Sequence, residues 1–406
     1  FIEVEGQWLS QPAKDLIREI RPGGVLLRTE NIDSVTQTLA LVREIKEADG
    51  LGRRQMSDLP IVALALTEGA ALDMAAGAST SITELASASS VDPARELGRT
   101  LASALKDRGI NVLFGPVLDV GGEAPVDSAY QTRVISRDRI VTAAMGLAET
   151  DELLRAGVLC AVATFPGYSG ATRGPLGGLV LAQDTQELAE LLYPFSAAAA
   201  NRVPGIVVGH VAVPAVDNKH PKRLASQSPK MVQELLRGLW SFDGVVVGDD
   251  VTAALLGAES TPGVAAVEAV VAGCDAVIIG SADAEDIRSV CAAISGAVAD
   301  GKVSESALAD SKRRLDAWIA RLESPTGLEG ILPELPGSLL RVAKAEDEAA
   351  APASPQPTPI AQDVTQEEAP ELSPTSPPTE SATDSELKLP ESGKLEEAQG
   401  EYQAVQ

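Results

Sequence analysis

The chain has 406 residues, of which 45% are hydrophobic and 3% aromatic, and its formal net charge is −25. This charge argues against a protein that binds nucleic acid or anionic membranes, because both require clustered Lys and Arg. No uncharged apolar run reaches the roughly 18 residues that a transmembrane helix needs, so the length and composition favour a globular fold with a sizeable core.

Short aliphatic runs alternate with segments of helical period from the start of the chain to residue 322. The predicted strands are Phe1–Val4, Gly24–Arg28, Ile61–Leu66, Ile110–Phe114, Val158–Ala163, Gly205–Gly209, Gly244–Gly248 and Ala276–Gly280. The predicted helices are Ser34–Ala48, Pro93–Arg108, Arg139–Ala156, Thr185–Asn201, Pro229–Leu239 and Ser304–Leu322.

Strands that are apolar on both faces belong to parallel sheets covered by helices. Eight such units predict an α/β fold of the TIM-like (β/α)₈ barrel type, and an open doubly wound sheet is the alternative. The first residue is Phe and not Met, so we expect the first β/α unit to be truncated.

The composition changes after the last predicted helix. Residues 342–406 hold 14 acidic and 3 basic side chains and nine prolines, a composition that cannot bury enough apolar surface to fold. We therefore predict a barrel domain at 1–325, a linker at 326–341 and a disordered acidic tail at 342–406. The tail is interpreted either as a solubilising segment or as a docking segment for a basic protein partner, with Glu386–Leu389 as a short apolar island.

The functional residues of such a barrel lie beyond the carboxyl ends of its strands. Acidic side chains recur there and Lys does not: the candidates are Glu68, Asp119, Asp249 and Asp250, and His210 follows another strand. Carboxylates without phosphate-binding cations favour a neutral polyol or sugar as ligand. Three cysteines and two histidines show no metal-type spacing, and no dinucleotide fingerprint is present, so we expect no metal and no cofactor.

Several blocks in order resemble glycoside hydrolase family 3, and in particular the barrel domain of bacterial β-N-acetylhexosaminidases. Residues 109–120 (GINVLFGPVLDV) are similar to the family signature GINVNFAPVLDV, and Phe165-Pro166-Gly167 lies where the family has KHFPGHG. The further matching blocks are Pro22–Val25, Thr132-Arg133, His210–Asp217 and Asp243–Asp250. The resemblance covers residues 1 to about 322.

The resemblance implies retaining hydrolysis of a β-linked N-acetylglucosamine. Asp249 corresponds to the nucleophile, and a His–Asp pair on the loop after FPGHG is the family's acid/base. Arg133, Glu68, Asp119, His210 and Asp250 are the ligand-binding candidates. A retaining mechanism requires one nucleophilic carboxylate and one proton donor beside the glycosidic bond.

The chain departs from the family pattern at the residues that carry this chemistry. Ala163 and Thr164 replace the family's Lys and His, and Tyr168 replaces its second His. The acid/base triplet falls on residues 174–176 (Gly-Pro-Leu), and Leu66 replaces a sugar-binding Asp.

Two hypotheses follow from these departures. The first is a degenerate barrel that keeps a ligand pocket without catalysis. The second is an active retaining glycosidase in which Asp249 is the nucleophile. In it either Glu68, Glu123, Asp127 or Asp250 supplies the proton, or the acetamido group of the substrate assists. Structural roles also stay open, namely helix capping for Asp249 and Asp250, an ion pair for Arg133, and an internal hydrogen bond for His210.

Overall fold

The computed structural model describes residues 1–48, 61–65, 85, 88, 90–121, 134–174, 178–253 and 260–330. The strands in this part of the chain are β1 (Ile2–Glu3), β2 (Gly24–Leu27), β3 (Ile61–Ala65), β4 (Val112–Val117), β5 (Leu159–Phe165), β6 (Thr172–Arg173), β7 (Leu179–Val180), β8 (Gly205–Val208), β9 (Val211–Ala212), β10 (Val245–Asp250) and β11 (Ala276–Ile278).

Eight of these strands form one parallel sheet in the order β1, β2, β3, β4, β5, β8, β10, β11. Its two edges meet, because Ile2 bridges Ile279 in parallel and the amide of Ile279 donates to the carbonyl of Phe1 at 2.8 Å. Every residue of β4 and β5 is buried, as strands covered on both faces must be. The predicted TIM-like (β/α)₈ barrel is confirmed.

Helices connect the strands and cover the barrel. They are α1 (Gln11–Ile20), α2 (Val35–Ala48), α3 (Asp92–Asp107), α4 (Arg139–Arg155), α5 (Thr185–Ala200), α6 (Pro262–Ala272), α7 (Ala284–Ala299) and α8 (Glu305–Ala320), with a π-helix at Lys230–Leu239 between α5 and α6. Helices α1, α6 and α7 were not among the helices predicted from the sequence. Each begins at a polar cap, Ser10, Thr261 or Asp283, whose side chain accepts a first-turn amide, which is a common start signal.

A small second sheet lies in the loops after β5 and β8. Strand β6 pairs antiparallel with β7, and β7 pairs parallel with β9. The β6–β7 connection includes residues 175–177, which lie outside the described residues. This small sheet joins the loop that follows β5 to the loop that follows β8, and both loops start at the carboxyl end of the barrel.

The described chain continues past the predicted domain end at residue 325. The amide of Leu328 donates to Asp151 Oδ1 at 2.9 Å, and Leu328 is buried against the core. Residues 331–406, which include most of the predicted linker and the whole acidic tail with its protein-partner hypothesis, lie outside the described residues. Within the described segments, no helix has the length and apolar character required to cross a bilayer.

Candidate active site

The structure brings four of the predicted site residues to the carboxyl end of the barrel. Asp119 follows β4, His210 follows β8, and Asp249 and Asp250 are the last two residues of β10. The other two, Glu68 and Arg133, lie outside the described residues, as do Leu66, Glu123, Asp127 and Leu176.

Asp119 is a buried carboxylate that binds the loop after β5. Its Oδ2 accepts the amide N–H of Tyr168 at 2.7 Å, and its Oδ1 accepts that of Thr164 at 3.4 Å. Burial raises the pKa of Asp119 from 3.8 to about 6, although the two backbone donors act in the opposite direction. Asp119 therefore orders the turn of residues 164–168, which the family resemblance had marked as the FPG block.

Tyr168 is buried and connects three strand ends. Its backbone binds Asp119, its hydroxyl donates to Asp249 Oδ2 at 3.3 Å, and the same hydroxyl accepts the backbone N–H of His210 at 2.9 Å. Gly209 leaves room for the ring, since a Cβ there would lie 2.8 Å from Tyr168 Cζ. The sequence showed Tyr168 only as the replacement of a family His, and its partners, 42 to 81 positions distant in the chain, were not predicted.

Asp249 is partly buried, and both of its carboxylate oxygens have a hydrogen-bond donor. Oδ2 accepts the Tyr168 hydroxyl, and Oδ1 accepts the backbone N–H of Asp250 at 2.9 Å. Among the described residues, no Lys, Arg or His forms an ion pair with Asp249. The carboxylate lies at the strand end where barrel sites lie, and its described partners are a hydroxyl and an amide.

Asp250 binds the backbone at the end of the barrel. Its Oδ1 accepts the amide of Thr252 at 2.8 Å, the Thr252 hydroxyl at 2.6 Å and the amide of Gly280 at 2.8 Å. These contacts join the ends of β10 and β11, because Gly280 follows β11. The ligand-binding role of Asp250 stays a prediction, and the geometry favours a role in holding Asp249 in place.

His210 is buried, and both of its ring nitrogens have partners. Nε2 lies 2.7 Å from the carbonyl oxygen of Asp250, and Nδ1 lies 2.8 Å from the Ser226 hydroxyl. Because a carbonyl oxygen only accepts, Nε2 carries the proton and Nδ1 accepts from Ser226 in the neutral ring. The ligand-binding role of His210 also stays a prediction, and these bonds place the ring between β8 and the end of β10.

Two further charged residues at this end were missed by the sequence reasoning. Arg28, directly after β2, forms an ion pair with Glu3 of β1, and its Nη2 lies 3.8 Å from Asp250 Oδ2. Both side chains are largely buried. The signal was present, because each lies at a strand end, but only the closed barrel shows that Arg28 lies between Glu3 and Asp250.

Comparison with known proteins identifies similar enzymes. A beta-hexosaminidase of Methylococcus capsulatus is 28% identical over 291 residues, which are 69% of this chain and 81% of that protein. Beta-hexosaminidase LpqI of Mycobacterium tuberculosis is 30% identical over 182 residues, 43% of this chain and 46% of that protein.

Solved structures share the fold. A glycoside hydrolase family 3 beta-N-acetylglucosaminidase from Paenibacillus superposes with a TM-score of 0.68 at 24% identity, over 82% of this chain and 62% of that one. A beta-N-acetylhexosaminidase from Beutenbergia cavernae superposes with a TM-score of 0.63 at 24% identity, over 79% of this chain and 96% of that one. The chain thus spans less than two thirds of the Paenibacillus protein, and identities this low show the barrel fold alone.

The family model gives the broadest match along the chain. The model of the glycosyl hydrolase family 3 N terminal domain matches residues 3–317, which are more than half of the 406 residues. These residues contain every block that the motif comparison identified, from Pro22–Val25 to Asp243–Asp250. The chain therefore belongs to glycosyl hydrolase family 3 and is similar to its β-N-acetylhexosaminidases.

Proposed function

We propose that the barrel binds an N-acetylglucosamine-type sugar at its carboxyl end through Asp249, and that it hydrolyses β-N-acetylglucosaminides very slowly or not at all. The sugar class follows from the β-hexosaminidase relatives. A carboxylate that forms no ion pair within the described residues suits a sugar hydroxyl, since hydrogen bonds to charged acceptors are stronger than those between neutral groups.

One observation carries the proposed loss of catalysis: the described carboxyl groups around Asp249 are each bound to another part of the protein. Asp119 is buried under two backbone amides, Asp250 binds Thr252 and Gly280, and Glu3 pairs with Arg28. A retaining mechanism needs a proton donor beside the nucleophile, and none of these groups is free to act as one.

The sequence gives independent support, because the positions of the family acid/base triplet carry Gly174, Pro175 and Leu176. Loss of a general acid lowers a rate by about 10²- to 10⁴-fold. Glu68, Glu123 and Asp127 are the remaining candidate donors, and an activity assay on the full chain tests all three at once.

The test compares the full-length chain with Asp249→Asn on an aryl N-acetyl-β-glucosaminide and on an aryl β-glucoside. We expect equal, background release of the aryl alcohol by both proteins. Turnover by the wild type that disappears in Asp249→Asn would overturn the proposed loss of catalysis and establish the retaining glycosidase.

The ligand part of the proposal has its own measurement. We expect N-acetylglucosamine to bind the wild type in a calorimetric or NMR titration, and Asp249→Asn to weaken that binding. Equal binding by the two proteins, or no binding by either, would show that Asp249 is not the sugar-binding residue.

A further inference from the structure

We propose that Tyr168 is the positioning residue of this site, and that its hydroxyl fixes the orientation of the Asp249 carboxylate at the mouth of the barrel. The inference rests on the proposed function in one respect, because it takes Asp249 as the group that meets the sugar. It assigns to Tyr168 a role that the family motif, with His at this place, does not supply.

The direction of the hydrogen bonds at the Tyr168 hydroxyl supports this role. The backbone N–H of His210 donates to the phenol oxygen at 2.9 Å, so the oxygen acts as an acceptor toward β8. The same hydroxyl donates to Asp249 Oδ2 at 3.3 Å. A backbone N–H can only donate a hydrogen bond, so the phenol cannot donate to the amide of His210. Its hydrogen therefore points toward the Asp249 carboxylate.

The ring itself is held on both sides. Tyr168 is completely buried, and its backbone N–H is bound to Asp119 at 2.7 Å. A Cβ at Gly209 would overlap the hydroxyl and would lie 2.8 Å from Thr164 Cγ2, so the phenol fits closely between the ends of β5 and β8. Because the backbone and the ring of Tyr168 are already held in place, its side chain loses little conformational entropy when the hydroxyl binds Asp249. Tyr168 can therefore fix the orientation of that carboxylate effectively.

The contacts form a continuous path from one buried acid to the other. Asp119 on the β4 side binds the backbone of Tyr168, and the hydroxyl of Tyr168 binds Asp249 on β10. The second oxygen of Asp249 accepts the amide of Asp250, whose carbonyl accepts the His210 ring. Tyr168 is thus the side chain that connects the loop after β5 to the predicted nucleophile.

The first test measures the contact directly by NMR of the full chain labelled with ¹³Cζ-tyrosine. The chain has four tyrosines, and replacing Tyr130, Tyr193 and Tyr402 by Phe in turn assigns the Tyr168 signal by elimination. We expect Asp249→Asn to move this signal and leave that of Tyr193 unchanged. Asp243→Asn, a matched change at an exposed aspartate that pairs with Arg313, should move neither. A Tyr168 signal that stays unmoved in Asp249→Asn would overturn the inference.

The second test measures the consequence for binding. Tyr168→Phe removes one hydrogen bond to a charged group, so we expect about tenfold weaker binding of N-acetylglucosamine, whereas Tyr193→Phe should bind like the wild type. Unchanged affinity of a folded Tyr168→Phe would contradict the positioning role. If the wild type binds no N-acetylglucosamine while Asp249→Asn still moves the Tyr168 signal, the proposed function is wrong and the positioning of Asp249 by Tyr168 stands.

Discussion

Two aspartates at opposite ends of the barrel show how differently the fold treats the same side chain. Asp275 precedes β11, has no exposed side-chain surface and binds Arg237 at 2.6 Å, Arg314 at 2.9 Å and the amide of Val246 at 2.9 Å. Asp249, at the other end of β10, is partly exposed, and its described partners are a hydroxyl and an amide. The first acid is paired with two cations, and the second has no cation partner among the described residues.

The two aspartates differ because the amino end of the barrel binds covering helices, whereas the carboxyl end carries the candidate site. The arginines at the amino end attach the π-helix and α8 to the barrel, since Arg237 lies on the former and Arg314 on the latter. At the carboxyl end, the contacts that the described residues make with Asp249 are hydrogen bonds from a hydroxyl and an amide. A buried charge that loses its partner is strongly destabilising, whereas the loss of a partly exposed charge is tolerated.

The largest expected effect tests this contrast directly. Asp275→Asn leaves the largely buried Arg237 without a counter-charge, so the free energy of unfolding should fall by about 3–5 kcal/mol. Asp249→Asn should change it by less than about 1 kcal/mol. Urea unfolding of the two variants and the wild type measures both values. Equal losses would mean that Asp249 is as structural as Asp275.

The contrast also shows which features could be predicted from the sequence. Runs such as Val158–Ala163 predict buried parallel strands, because an uninterrupted apolar run is a local feature that can be read from adjacent residues. The position of Asp249 at the carboxyl end of a barrel strand was predictable, because the block 243–250 reads as a strand and resembles the family. The bond between Tyr168 and Asp249 was not predictable, since 81 positions separate them. Their strands come near each other only through the sheet order, in which β8 lies between β5 and β10.

Asp250 shows a second reason for the limits of sequence reasoning. Strand β10 continues through Asp250, and its pairing with β11 is irregular between Gly248 and Asp250. Asp249 meets the Tyr168 hydroxyl, while Asp250 binds Thr252 and Gly280. Residue type alone makes the two acids equivalent, and the irregular pairing at the end of β10 cannot be seen in the sequence.

A third acid, Glu149, is buried and has neither a described cation nor a described side-chain hydrogen bond. Glu149 of α4 is buried, its Oε1 has no partner within the described residues, and burial raises its pKa from 4.5 to about 8. The unfolded chain loses this proton near pH 4.5 and the folded chain only near pH 8, so Glu149 lowers stability progressively as the pH rises through that interval.

Glu149→Gln removes this pH dependence and keeps the shape of the side chain. The variant should exceed the wild type in free energy of unfolding by on the order of 3 kcal/mol at pH 9, and the difference should shrink toward pH 4.5. Denaturant unfolding at several pH values measures it. Glu234→Gln, an exposed residue paired with Lys230, is the matched control and should show no comparable trend. A constant difference between Glu149→Gln and wild type would contradict a protonated Glu149.

The smallest expected effect concerns the close packing around Tyr168. An alanine Cβ at position 209 would overlap the Tyr168 hydroxyl, so Gly209→Ala should lower the free energy of unfolding by about 1–3 kcal/mol. The matched control is Gly296→Ala in α7, where a Cβ meets nothing within 4 Å, and it should raise that energy by about 0.5–1 kcal/mol.

The same substitution in a Tyr168→Phe background identifies the atom responsible. If the phenol oxygen is what the new Cβ meets, its removal relieves part of the overlap, and Gly209→Ala should cost less there than in the wild type. The double-mutant cycle should then show a coupling of at least about 0.5 kcal/mol between positions 168 and 209. Additive effects would mean that the hydroxyl is not held against the end of β8. Tyr168 would then lack the constraint by which it orients Asp249, whereas Asp275 at the other end of the barrel is held by Arg237 and Arg314.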